Sequence, residues 1–345
     1  MATSRVLLIY TGGTIGMVED PETGRLKAFD FDHLDQQIPE LSRIDAYLEA
    51  ISLEEPIDSS DMNPEIWKEI AEIIFTNYNE FDGFVVLHGS DTMAFTASAL
   101  SFMLQGLKKP LILTGSQLPI GTIRTDGKEN LITSIEIAAT KDKSENALIQ
   151  EVALYFEYTL YRGNRTTKVS AHAFEAFQSP NYPKLAEAGV SIAYNPSAFF
   201  VSPYNELHLS CKMDDRVALL KIFPGFSPAL YDDLFDVTKV KAVVLETFGS
   251  GNVPNRKDFF ELIEKYIYDG GIVINVTQCF SGSVDQGKYA NSSMLNMLGV
   301  ISAKDMTTEA AITKIMFLLG NSKSVAAVKE DFQRDIVGEV LPWSL

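Results

Sequence analysis

Arg5-Val6-Leu7-Leu8-Ile9-Tyr10-Thr11-Gly12-Gly13-Thr14-Ile15-Gly16 is an apolar run of strand length that feeds into a glycine-flanked pair of threonines. Short apolar runs of this kind read as buried parallel strands, and open α/β sheets place their ligands at the C-terminal ends of such strands. Glycine permits a tight turn there and leaves room for a small molecule. Thr14 thus offers a hydroxyl where chemistry is commonly done. Taken alone, the segment fits a plain strand-to-loop turn as well as it fits a reactive site.

Working outward, the same pattern repeats. Phe84 to Leu87 is strand-like and ends at His88-Gly89-Ser90-Asp91-Thr92; Leu111 to Thr114 ends at Gly115-Ser116-Gln117; Glu151 to Tyr155 is a further strand-like run. Between them, Pro64 to Tyr78 carries Ile66, Trp67, Ile70, Ile73 and Ile74 at helical spacing, with Asn63 placed as N-cap and Pro64 at the first helical position. Thr92 to Leu107 and Asn130 to Thr140 also read as helices. Strand–helix alternation predicts an α/β fold with a parallel sheet covered on both faces. Residues 195–212 read as a linker, and the alternation then resumes. Val217 to Ile222, Lys241 to Glu246 and Gly271 to Val276 are strand-like, and Phe259 to Tyr268 and Thr308 to Leu319 helix-like. The expected organisation is a larger N-terminal α/β domain over 1–194 and a smaller Rossmann-like or flavodoxin-like domain over 213–345.

Composition narrows the partners. The 345 residues carry 46 acidic against 29 basic side chains, a net charge of −17, which opposes binding to nucleic acid or to an anionic membrane surface. The two cysteines, Cys211 and Cys279, form no disulfide framework or CxxC pattern. The N-terminus runs into the first strand without an apolar leader. A cytoplasmic location is the expectation.

In a parallel sheet all strand C-termini lie on one edge, so Thr11, Thr14, Ser90, Asp91, Thr92, Thr114 and Ser116 are candidates for one crevice. Asp58-Ser59-Ser60-Asp61, ahead of the Asn63-capped helix, is a further small polar group, which turn chemistry alone also explains. Arg162-Gly163-Asn164-Arg165-Thr166-Thr167-Lys168 is basic in an acidic chain and reads as a solvated turn rather than a phosphate-binding loop. Phosphate and dinucleotide fingerprints are absent from both glycine-bearing segments. The four histidines lack zinc-site spacing. His88 fits a ligand or base, and equally a hydrogen-bonded structural histidine at a strand end. A G-x-S-x-G elbow is missing, which leaves a hydroxyl nucleophile activated by something other than histidine.

As an ordered set, Tyr10 to Gly16, Asp58 to Met62, His88 to Thr92, Thr114 to Gln117, Arg162 to Lys168, Gly249 to Asn252 and Thr277 to Cys279 closely resemble the bacterial-type L-asparaginases, and in particular their cytoplasmic type I branch. The resemblance spans nearly the whole chain. It implies that Thr14 attacks the side-chain amide of L-asparagine to give a β-aspartyl ester, which water hydrolyses. By the same resemblance Ser90, Asp91 and Lys168 form a second group in which Lys168 accepts a proton from Ser90. Asp58, Ser59 and Ser60, with Ser90 and Asp91, hold the α-ammonium and α-carboxylate of the substrate. No metal or organic cofactor is implied, and a homotetramer built as a dimer of dimers is. Two departures stand out: Ser90 occupies the family's usual threonine position, and no tyrosine lies between Met17 and Phe31, where a lid-like loop spans Met17 to Lys27. A glutaminase-asparaginase of broader specificity and a noncatalytic asparagine sensor are the competing readings.

Overall fold

A computed structural model of the chain describes residues 3–19, 26–28, 38–287 and 290–341. These form two compact units, Met1–Leu209 and Ser210–Leu345.

The first unit is built on an eight-stranded sheet. In chain order the strands are β1 (Ser4–Gly12), β2 (Ala46–Ile57), β3 (Gly83–Leu87), β4 (Leu111–Thr114), β5 (Val152–Phe156), β6 (Thr159–Arg162), β7 (Ala186–Ala188) and β8 (Ile192–Tyr194). Their order across the sheet is β8-β7-β6-β5-β4-β3-β1-β2. Five neighbours, β2, β1, β3, β4 and β5, run parallel, as the alternation predicts. The last three strands are antiparallel, which makes the sheet mixed where a parallel one was expected. The reversal begins at Glu157 and Tyr158, two residues with positive φ (41° and 64°) that link Phe156 to its partner Thr159. A two-residue turn of that hand suits the twist of a hairpin, yet Glu-Tyr carries none of the glycine or asparagine that normally signals it. Glu157 N–H donates to Asn130 Oδ1 at 3.0 Å, which helps hold the turn from outside.

Helices α1 (Pro64–Asn77), α2 (Met93–Met103) and α3 (Gly127–Ala139) connect the parallel strands. Asn63 caps α1 by accepting from Glu65 and Ile66 N–H. The alternate residues Val6, Leu8, Val85, Leu87 and Ile112 share one buried cluster with Leu131 and Ile135 of α3. Their neighbours Leu7, Ile9, Phe84, Val86 and Leu113 are equally buried on the other face, so these strands read as continuous apolar runs. Within 195–212, Pro196–Ala198 forms a 3-10 turn and His208–Leu209 pairs with Leu104–Gln105, so this stretch carries its own hydrogen-bonded structure.

The second unit is a four-stranded parallel sheet in sequential order: β9 (Val217–Lys221), β10 (Ala242–Thr247), β11 (Ile272–Thr277) and β12 (Ile301–Ser302). Its helices are α4 (Lys257–Tyr268), α5 (Ala290–Met297), α6 (Thr308–Asn321) and α7 (Val325–Phe332). Phe226, Phe235, Phe259 and Tyr266 interlock in its core. Among the described residues, no helix is long and apolar enough to cross a membrane.

Candidate active site

The parallel register brings the ends of β1, β2 and β3 together. Tyr10 pairs with Leu87, and a register shift lets Gly12 pair with Ile57. Gly12 and Gly13 have φ of +118° and +81°, a conformation that L side chains rarely adopt. A Cβ on Gly13 would stand 2.5 Å from Gly89 Cα, and one on Gly89 would stand 2.5 Å from Ser59 Oγ. Gly13, Gly89 and Ser59 are therefore closely packed, which brings the Thr14 turn, Gly89 and the Asp58–Ser60 turn together. This is the crevice that the strand-end reading predicts.

Most of the hydroxyls at this edge are occupied by structure. Thr11 donates to Leu87 O at 3.1 Å, Thr92 to Ser59 O at 2.7 Å, Thr114 to Tyr155 O at 2.9 Å and Ser116 to Leu118 O at 2.6 Å. The first three bonds knit one strand end or loop to another, and the fourth closes the loop after Thr114 on itself. Thr14 differs: half-buried at the start of a one-turn 3-10 helix, Thr14–Gly16, its hydroxyl has no hydrogen bond among the described residues. Ser90 also differs, because its Oγ accepts from Lys168 Nζ at 2.8 Å. Lys168 Nζ lies 2.6 Å from Asp91 Oδ1 as well. The lysine is mostly buried and the aspartate is 70% exposed, so one end of the pair is anchored and the other faces solvent.

Asp58 caps the 3-10 turn Ser59–Asp61, accepting from Ser60 N–H at 2.8 Å and Ser60 Oγ–H at 2.9 Å. Those two bonds hold its carboxyl below the usual carboxylate range. Both engage Oδ1, which leaves Oδ2 with acceptor capacity. Asp58 and Ser60 are exposed, while Ser59 is buried against Gly89. The centre of the expected lid, residues 20–25, lies outside the described residues. On either side of it, Met17–Glu19 and Leu26–Ala28 pair as antiparallel strands.

The basic segment 162–168 is no solvated turn. Arg162 and Arg165 are among the most buried polar residues of the unit. Arg162 Nε bonds Glu151 Oε2 at 2.7 Å, and its Nη2 donates to Ala198 O at 2.9 Å. Arg165 donates to Asn181 O at 3.1 Å. Thr166 Oγ1 closes the turn on Arg162 O at 2.7 Å. The arginines thus brace the turn from beneath, and Lys168, paired with Phe177 in a short antiparallel ladder, leaves it toward Ser90. Sequence reasoning passed over this support. Its signal was Glu151, an acid set immediately before an apolar strand, with an arginine at the end of the next strand.

His88 is the structural histidine of the two readings. It is fully buried, and burial pushes its imidazole down to about 4. Its Nδ1 lies 2.6 Å from Gly89 O, and its Nε2 lies 2.8 Å from Thr96 Oγ1.

Residues 5–199 match the family described as Asparaginase, N-terminal, and residues 216–332 that described as Glutaminase/Asparaginase C-terminal domain. L-asparaginase 1 of Escherichia coli strain K12 is 41% identical, covering 99% of each chain. The crystal structure of L-asparaginase I from Vibrio cholerae superposes with a TM-score of 0.88 at 37% identity, over 98% of this chain and 99% of that one. The thermostable L-asparaginase from Thermococcus kodakarensis superposes with a TM-score of 0.89 at 30% identity, over 98% and 100%. The chain belongs to the asparaginase family.

Proposed function

We propose that the chain hydrolyses L-asparagine to L-aspartate and ammonia, with Thr14 as nucleophile. The observation that carries this reading is the pairing of Lys168 with both Ser90 and Asp91 at the same strand edge as Thr14, whose hydroxyl, unlike those of Thr11, Thr92, Thr114 and Ser116, has no hydrogen bond among the described residues. Thr14 Oγ1 adds to the side-chain amide carbon, and backbone N–H groups near Ser90 stabilise the oxyanion. The C–N bond then breaks as the amide nitrogen takes a proton and leaves as ammonia, giving a β-aspartyl ester on Thr14. Water adds to the ester and releases aspartate. In its amine form Lys168 takes the proton of Ser90, Ser90 takes that of the attacking hydroxyl or water, and Asp91 holds the ammonium so produced.

The open Oδ2 of Asp58 and the carboxylate of Asp91 suit the α-ammonium of an amino acid, and Ser59, Ser60 and Ser90 suit its α-carboxylate. Serine in place of threonine at position 90 keeps the oxygen that Lys168 needs. The protein works as a cytoplasmic homotetramer in this account. The sequence resemblance supports that assembly, and a mass measured by light scattering tests it. Ammonia release measured against L-asparagine and L-glutamine, with wild type and Thr14→Ala, tests the activity. The reading expects preference for asparagine and no turnover in the variant. Tight asparagine binding by the wild type without ammonia release would instead establish a sensor.

A further inference from the structure

Three buried side chains from separate elements form a hydrogen-bonded line that ends on the backbone of the site. Trp67 Nε1 on α1 lies 3.0 Å from Thr96 Oγ1 on α2. Thr96 Oγ1 lies 2.8 Å from His88 Nε2, and His88 Nδ1 lies 2.6 Å from Gly89 O. Donor chemistry fixes every proton along it. An indole N–H only donates, so Thr96 Oγ1 accepts from Trp67; Gly89 O only accepts, so His88 donates from Nδ1, and its neutral Nε2 accepts the single proton of Thr96 Oγ1. His88 is then neutral with its proton on Nδ1, and it donates to Gly89 O. Burial of the imidazole, which keeps it uncharged, agrees with this arrangement.

The carbonyl at the end of this line belongs to the peptide that joins Gly89 to Ser90. Gly89 is wedged between Gly13 and Ser59, and Ser90 Oγ accepts from Lys168. A rotation of that peptide would move Ser90 and shift Gly89 against the Thr14 turn. We infer that Trp67, Thr96 and His88 are a positioning relay: by locking the His88 tautomer they fix the Gly89-Ser90 peptide, and through it the hydroxyl–lysine pair used in turnover. This rests on the asparaginase reading above. It adds to it three residues that touch no substrate.

Thr96→Val keeps the shape of the side chain but removes the hydroxyl, and His88 is then free to carry its proton on Nε2, leaving a bare lone pair facing Gly89 O. The expected result is a kcat for ammonia release reduced tenfold or more with KM changed much less. Thr96→Ser restores the hydroxyl and should restore kcat. Trp67→Phe combined with Thr96→Val removes the stranded indole N–H as well. This double variant should recover thermal stability while kcat stays low. Nitrogen-15 NMR of labelled histidine gives a readout independent of turnover, with neutral His88 protonated on Nδ1 in wild type and shifted toward the Nε2 form in Thr96→Val. Wild-type kcat in Thr96→Val, recovery of kcat together with stability in the double variant, or an Nε2-protonated His88 in wild type would each overturn the relay. A wild type that shows the Nδ1 form but releases no ammonia would leave the tautomer lock standing and overturn its role in turnover along with the asparaginase reading.

Discussion

Replacing Lys168 by methionine separates catalysis from stability in this fold. The side chain is close in length and apolar stem, but it can neither donate to Ser90 Oγ nor pair with Asp91. Asp91 is 70% exposed, and ion pairs that water can reach are worth about 0–1 kcal/mol. For a domain of this size a loss of that order lowers Tm by about 2–4 °C. A positioned acid–base group contributes about 10²–10⁴-fold in rate, or about 3–5 kcal/mol of barrier at 1.36 kcal/mol per tenfold. The expected variant is therefore folded, melts within a few degrees of wild type and is nearly silent in ammonia release. Calorimetry and a coupled ammonia assay on the same preparation check both halves. A kcat within tenfold of wild type would refute the role given to Lys168. So would a collapse in Tm large enough to explain the lost activity by unfolding.

Arg162→Met strands the Glu151 carboxylate, whose side chain is 5% exposed like that of its partner. Breaking a buried pair from one side costs about 3–5 kcal/mol, to be read from urea unfolding, and Glu151→Met added to it should recover much of the loss. His88 is neutral when folded and titrates near 4 rather than 6.5. Between those values the unfolded chain binds the extra proton, so wild-type stability falls with pH by about 3 kcal/mol. His88→Asn should lack that component, and unfolding free energies of the two proteins at pH 7 and pH 4.5 measure it. Ser90→Thr keeps the acceptor that Lys168 uses and should retain activity, whereas Ser90→Ala should lose it; kcat for ammonia release distinguishes them.

The parallel core was legible because its strands, buried on both faces, appear as uninterrupted apolar runs such as Arg5 to Tyr10 and Phe84 to Leu87. β2 was not. As a strand paired on one side only, it mixes exposed Tyr47, Ser52, Glu54 and Glu55 with more buried residues and contains Pro56, so its twelve residues look like loop. The start of α3 was misplaced by three residues because Thr125-Asp126-Gly127 reads as a turn. Asp126 indeed accepts from Gln117 and Leu118 N–H rather than capping the helix with its side chain. The antiparallel edge escaped notice because Glu157 and Tyr158 adopt left-handed conformations with no glycine to announce them.

At the site, the hydroxyl- and acid-bearing strand ends were visible as residue types, but their division of labour was not. Thr11, Thr92 and Thr114 bond to carbonyls supplied by distant segments and Ser116 to one in its own loop, and only the fold reveals which hydroxyls remain. The same holds for Arg162 and Arg165. In sequence they are charges to be solvated, and in the structure they are the buried brace under Lys168.

The nucleophile itself is the central claim. The most direct measurement is mass analysis of peptides from enzyme quenched with acid during turnover of L-asparagine. The expected result is an aspartyl group added to the peptide that carries Thr14, absent in Thr14→Ala. The same adduct on the peptide carrying Ser90, or ammonia release at the wild-type rate by Thr14→Ala, would contradict it.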